Sequence, residues 1–303
     1  MTDTPTESAQ IRKPDSGQAL IVLLLGACTI GVGPILVRLS DTGPAAAAFW
    51  RLALALPLLA VLAARNREGM GGPSRITVLT GIAFALDLGF WHYGIDLTSV
   101  AKATVLSNLT PVLVTAVGWI VFKQKPARLF LAAVALAVAG AWIMAIAKDA
   151  GFAGKSPALG DALSTATAFW YALYFLAMSA ARRNQGVMRI MFWSTLTGIP
   201  ILLAAALGLG ERMIPGTMIG WGACVGLGIM HVLGQGSIAW ALGRLPPATA
   251  SVTVLVQPVV AALLGWLIFR EVFGPWQALG GAVALAGVVL AQWSARSRPS
   301  QNP

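Results

Sequence analysis

Six polar side chains stand inside long apolar stretches of this chain: Asp87, His92, Asn108, His231, Gln235 and Gln257. Where hydrocarbon replaces water, an unpartnered polar group is costly, so each of these needs a partner or a task. His231 and Gln235 are four residues apart, which places them on one face of a helix. Phe84, Leu88 and Trp91 form a similar stripe in an earlier apolar stretch. If those two faces meet, the space between them is aromatic on one side and hydrogen-bonding on the other. Such a site suits an amino acid with an apolar side chain. The competing use of the same polar residues is as interhelical contacts that join helices in a bilayer.

Asp87 is the only carboxylate near the middle of a long apolar stretch. It has three possible tasks: to bind an amino group, to carry a proton, or to pair with Arg51. For Arg51 itself, a structural or snorkelling role is expected. Lys102 is expected at an interface near Asp96, His92 near the outer interface, and Asn108, one turn before Pro111, as a cap on carbonyls freed by the proline. Aromatic residues cluster at Trp91 and Tyr93 and again at Trp170, Tyr171 and Tyr174. An interfacial belt explains aromatics near a helix end but not a phenol near mid-span, so Trp170 and Tyr174 are expected to line the cavity. Gly31-Val32-Gly33-Pro34 interrupts the first apolar stretch and is expected to be a hinge, with Pro111 and Pro258 as further hinge points.

Catalytic patterns are missing. No zinc-type His pair shares a helical turn, no glycine loop is built to cradle phosphate, and no triad is in view. Cys28 and Cys224 each sit in apolar surroundings and read as small packing residues. Neither an enzyme, a metal nor a cofactor is expected.

The elements that hold these residues follow from composition. Of 303 residues, 57% are hydrophobic and 11% are charged, against roughly 25% charged in soluble domains. The mean hydropathy is +0.77. Too few polar side chains remain to cover a water-facing surface, so most of the exterior faces lipid. Ten apolar runs reach the length of about 20 residues that a helical span needs. They are 19–39, 44–64, 76–96, 99–122, 127–147, 158–181, 189–208, 216–238, 246–269 and 274–294. The 18 residues before the first run are polar and read as a disordered cytoplasmic tail, and 295–303 as a second tail. The first run lacks an obvious small-residue cleavage site and reads as a retained helix.

The net charge of +10 comes from short basic clusters between the runs, the pattern of cytoplasmic loops rather than of a nucleic-acid surface. With the N-terminus inside, 14 basic residues fall on the inner side, among them Arg65, Arg75, Lys123, Arg128, Arg182 and Arg189, and six on the outer side. That bias puts both termini in the cytoplasm.

An internal repeat carries more weight than any single residue. A shift of 147 superposes Gly81–Gly140 on Gly228–Gly287 without a gap, with 16 of 60 positions identical, among them Pro111/Pro258, Gly118/Gly265, Trp119/Trp266, Phe122/Phe269 and Gly140/Gly287. Apolar composition alone does not align rare Trp and Pro together. The shift pairs Phe84 with His231 and Leu88 with Gln235. Five helices per half is an odd number, so equivalent helices cross in opposite directions, as in transporters that exchange the conformations of two halves. The expected fold is all-α, with ten transmembrane helices as two inverted five-helix repeats, 19–147 and 158–294.

Two five-helix halves, Phe49-Trp50-Arg51 early in the second helix, and proline helices ending in Phe122-Lys123-Gln124 and Phe269-Arg270-Glu271 resemble the EamA-type branch of the drug/metabolite transporter superfamily. The resemblance covers nearly the whole chain. Where that family has a Glu near the ends of both its fourth and ninth helices, this chain has Gln124 in the first place and Glu271 in the second. Within the superfamily, the size and the aromatic-rich helices are most similar to amino-acid exporters of the YddG type. What this implies is a ten-helix secondary exporter with a central cavity that moves aromatic and other apolar amino acids outward through a bacterial inner membrane. The candidate substrate residues are then Phe84, Asp87, Leu88, Trp91, Trp170, Tyr174, His231 and Gln235. A monomer in the lipid bilayer is expected. The alternatives are a nucleotide-sugar, drug or other metabolite carrier of the same superfamily, a channel, or a membrane-embedded enzyme.

Overall fold

The computed structural model describes residues 16–66, 69–98, 106–121, 123–148, 155–269 and 274–296, and all regular structure among them is helical. Expectations that rest on Lys102, Phe122, Arg270 or Glu271, and on most of both tails, lie outside the described residues.

The first half comprises α1 (Ser16–Ile30), α2 (Gly33–Leu39), α3 (Pro44–Arg65), α4 (Arg75–Leu97), α5 (Thr110–Ile120) and α6 (Arg128–Lys148). The second comprises α7 (Pro157–Ala181), α8 (Val187–Gly208), α9 (Met218–Met230), α10 (Gly236–Leu242), α11 (Pro247–Thr253), α12 (Val256–Phe269) and α13 (Pro275–Arg296). A single wide π-turn, His231–Gln235, joins α9 to α10. Six stretches are each long and apolar enough to cross a membrane: Ser16–Leu39, Pro44–Arg65, Arg75–Leu97, Val187–Gly208, Met218–Leu242 and Pro247–Ile268. With α5, α6, α7 and α13 the described helices accommodate ten crossings in two halves, the arrangement expected from the repeat.

The interruption expected in the first run is present at Gly31-Val32, and two further runs are broken: the eighth widens at the π-turn, and the ninth is split between Thr253 and Val256. Apolarity is blind to the latter two breaks, because a broken helix in a bilayer remains apolar if its freed backbone groups find partners within the protein.

Local signals set the helix ends. Ser74 accepts a hydrogen bond from the Thr77 amide at 3.2 Å, and Thr217 from the Gly220 amide at 3.0 Å, each capping a helix start. The start of α3 has Pro44 in its first turn and is capped from a distance instead: the Glu211 carboxylate accepts from the amides of Ala45 (3.1 Å) and Ala46 (2.8 Å). A carboxylate there also faces the positive end of the helix dipole.

Outward faces are apolar, as lipid requires: Met218 is 86% exposed, Ile120 67% and Val289 68%. The main core lies among α3, α4, α7, α8 and α10, around Leu52, Leu59, Phe84, Phe175, Met178 and Ile190. A second cluster joins α6, α11 and α13 through Phe130, Ala133, Val252 and Ala291.

The repeat is visible in how the halves touch. Helices α6 and α13 cross closely, and a Cβ on Gly140 would fall onto the backbone of Ala284 while one on Gly287 would fall onto Ala137. Both residue pairs are related by the same shift of 147. Glycine is required at both places because the backbones themselves are in contact.

Candidate functional site

A cavity lies between the two halves, and the space in it open to the centre of a water molecule is about 120 Å³, roughly ten times what one water needs. Five pairs of its lining residues are related by the 147-residue shift: Leu88/Gln235, Ser107/Val254, Asn108/Leu255, Thr110/Gln257 and Pro111/Pro258. The cavity therefore straddles the relation between the halves, the place where transporter sites are found.

Helix α4 contributes Phe84, Asp87, Leu88 and Trp91, which the helical period collects on one face. From α3 comes Arg51, which does not snorkel: it is only 3% exposed and faces the cavity. Its guanidinium carbon stands 5.5 Å from the centre of the Phe84 ring. Asp87 is 7% exposed. The charges of Arg51 and Asp87 act on each other through space, yet the ion pairs within 4.0 Å among the described residues are Lys155–Asp96 and Arg212–Asp41, and neither includes them.

The broken helices supply the remaining walls. Gly31, Gly33 and Pro34 line the cavity where α1 gives way to α2. Gly31 is also a packing necessity, since a Cβ there would stand 2.7 Å from that of Val260. Pro111 deprives the Ser107 carbonyl of its usual amide donor, and the Thr110 hydroxyl donates to it at 2.9 Å instead. The expected capping by Asn108 is thus corrected: Asn108 lines the cavity, and its amide nitrogen has no partner among the described residues. At Pro258 the corresponding carbonyl, that of Val254, accepts from the Gln257 amide at 2.9 Å. The π-turn brings Gln235 to the cavity wall, a use of such turns that recurs at functional sites.

Three expected substrate residues do not line the cavity. Trp170 packs against Phe169 and Phe90, with ring centres 5.1 and 6.3 Å apart. Tyr174 is 1% exposed, behind Phe84 at 4.9 Å and stacked on Tyr171 at 5.8 Å. His231 packs on Phe84 at 5.3 Å, and its Nε2 shares a hydrogen bond with the Thr195 hydroxyl at 2.9 Å. Tyr174 and His231 therefore form a layer behind the wall. The side of α7 that does face the cavity carries Thr167 and Tyr171. Their four-residue spacing was the available signal, and it is offset by three residues, about 60° around the helix, from the stripe expected at Trp170 and Tyr174. The Gln235 side chain lies near both tyrosine hydroxyls, but neither its amide nitrogen nor the Tyr174 hydroxyl completes a hydrogen bond. His92 is also structural: its Nδ1 stands 2.7 Å from the Pro44 carbonyl, to which it donates. Among the described residues, no cluster of His, Cys, Asp and Glu could hold a metal.

An all-helical chain with two matching halves around a polar-edged cavity has the architecture of a membrane carrier. The model of the EamA-like transporter family matches residues 17–146 and again 158–293, and the chain belongs to that family. Its relatives are transporters, not enzymes. It is 25% identical over 276 residues to a protein of Archaeoglobus fulgidus named an uncharacterized transporter, covering 91% of this chain and 96% of that one. It is 24% identical over 281 residues to the pseudopaline exporter CntI of Pseudomonas aeruginosa, covering 89% and 94%. A crystal structure aligns with 94% of this chain and 100% of that one at a TM-score of 0.77 and 16% identity, which is a likeness of fold. None of these relatives is named an amino-acid exporter, so the family holds at the level of a multi-pass transporter of small molecules.

Proposed function

We propose that the chain is a secondary transporter that exports amino acids with aromatic or other apolar side chains by alternating access. It acts as a monomer in a bacterial inner membrane, with both termini cytoplasmic and the two halves, 19–147 and 158–294, exchanging conformations. One observation carries this reading: a cavity built from equivalent residues of both halves, with Phe84, Leu88 and Trp91 as apolar wall and Asp87, Gln235 and Gln257 as polar edge. A mostly apolar site with a few convergent polar groups fixes the orientation of a small amphipathic ligand. The broken helices at Gly31–Pro34, Pro111 and Pro258 sit at the cavity wall, where a change of helix direction would open one side and close the other. The relative named a pseudopaline exporter supports export as the direction and supplies the second reading, a carrier of another metabolite.

The test is counterflow in proteoliposomes against a panel of labelled amino acids. A carrier accumulates label transiently against preloaded substrate and saturates. Linear flux without counterflow would identify a channel, and counterflow confined to compounds other than amino acids would select the second reading.

A further inference from the structure

The cavity holds one cation and one anion that the described residues leave without a counter-ion in contact. Arg51 and Asp87 are 3% and 7% exposed, both face the cavity, and neither joins an ion pair within 4.0 Å among the described residues. The Nε of Arg51 has no hydrogen-bond partner, and the carbon of its guanidinium stands 5.5 Å from the centre of the Phe84 ring. A buried charge with no counter-ion in contact is costly to keep in the folded protein, and both of these stand at the wall of a space large enough to admit a ligand.

We infer that Arg51 binds the carboxylate and Asp87 the ammonium of a zwitterionic substrate, and that the transporter selects solutes carrying both groups. The assignment rests on the proposed transport function. Charge balance supports it. The two side chains sum to zero, and a zwitterion gives each its opposite charge while the cavity stays neutral. A simple anion would leave Asp87 unpartnered beside a second negative charge, and a simple amine would do the same to Arg51. The guanidinium fork is the side chain best shaped to hold a carboxylate with two parallel hydrogen bonds. Asp87 is one turn from Trp91 and adjacent to Leu88 on α4, so an ammonium held there directs the rest of the ligand along the apolar wall of Ile30, Leu88, Trp91 and Val254. The amide nitrogens of Asn108, Gln235 and Gln257, all without partners, are donors left over for a carboxylate.

Ligand-dependent thermal shifts of the purified full-length protein in detergent test the assignment, with three probes of one shape: L-leucine, leucinamide (no carboxylate) and 4-methylpentanoate (no ammonium). The unaltered protein is expected to prefer leucine over either analogue by about tenfold to a hundredfold. In Asp87→Asn, leucine loses its advantage over 4-methylpentanoate but keeps it over leucinamide. Arg51→Gln gives the mirror image. Where a neutral variant does not fold, Asp87→Glu and Arg51→Lys keep the charge and should weaken the same single discrimination. A structural ion pair predicts something else: lower melting temperature in each variant, recovery on exchange of the two residues, and one unchanged order of the three probes. That outcome overturns the assignment, as does an unaltered protein that takes all three probes alike. If counterflow shows no amino-acid exchange at all, the transport reading falls first. If amino acids exchange while the discrimination of the variants is unaltered, only the roles of Arg51 and Asp87 fall.

Discussion

Gln235 stands on the widened turn His231–Gln235, 1% exposed, with its amide nitrogen unpartnered at the cavity wall. Replacing it by Leu removes a donor and acceptor from the cavity wall without opening a hole. The expected outcome is a rise in transport KM of roughly tenfold to a hundredfold, the equivalent of about 1–3 kcal/mol for one lost hydrogen-bond partner in a dry site. Melting temperature should change little. His231 behaves oppositely, because its ring is bonded to Thr195 and packed on Phe84 behind the wall. His231→Leu leaves the Thr195 hydroxyl buried without its partner, so stability should fall while KM in the folded fraction stays near normal. A pair of measurements, melting temperature and KM, separates the two residues. Equal effects on both quantities in both variants would show that wall and backing layer are one unit. Glu211 is a third kind of residue: it accepts from Ala45 and Ala46 and from the Tyr93 hydroxyl, at the start of α3 and far in sequence from it. Glu211→Ala should cost on the order of 1–3 kcal/mol, read as a lower melting temperature with unaltered KM.

Between elements, the two halves repeat their contacts as well as their helices. The Trp50 indole donates to the Met213 carbonyl at 2.7 Å, and the Trp193 indole to the Met70 carbonyl at 2.9 Å. Trp50 and Trp193 are 143 residues apart, as are Phe49 and Phe192 and Met70 and Met213. The register of 143 in this part of the chain gives way to 147 from Gly81 onward, which is why a gapless comparison at 147 passes over it. Each tryptophan thus fastens the loop of the opposite half, one through α3 and one through α8. Trp50→Phe and Trp193→Phe should each lower the melting temperature by a similar amount, and their effects should add, since the two sites share no partners. Strongly unequal losses would mean that the equivalence is one of sequence only. The crossing of α6 and α13 is less forgiving. Gly140→Leu or Gly287→Leu forces a side chain into the opposing backbone and should prevent accumulation of folded protein, overpacking of this kind costing about 1–3 kcal/mol or more.

At the scale of the whole molecule, the proposed orientation, with both termini inside, rests on the distribution of charge. Loops rich in Arg and Lys face the cytoplasm, so a fluorescent reporter fused at Pro303 is expected to glow when it needs a cytoplasmic location, and a reporter active only in the periplasm is expected to stay silent. The opposite pattern would invert the direction assigned to transport. Ten apolar runs, the basic bias between them and the proline-marked repeat were legible in the chain because lipid imposes length and apolarity on every crossing, whatever its neighbours. Leu88 and Gln235, which the repeat pairs, both reach the cavity. What the chain could not disclose is rotation about each helix axis. Thr167 and Tyr171 face the cavity while Trp170 and Tyr174 turn away, a rotation of about 60° that packing against α4 and α5 decides. The chemistry of Asn108 and Arg51 fits a structural role and a cavity role alike, and only their place at the cavity wall separates the two. Residue type and period belong to the single helix. Which side of it faces the cavity depends on contacts with helices far away in sequence, and those exist only once the two halves have packed.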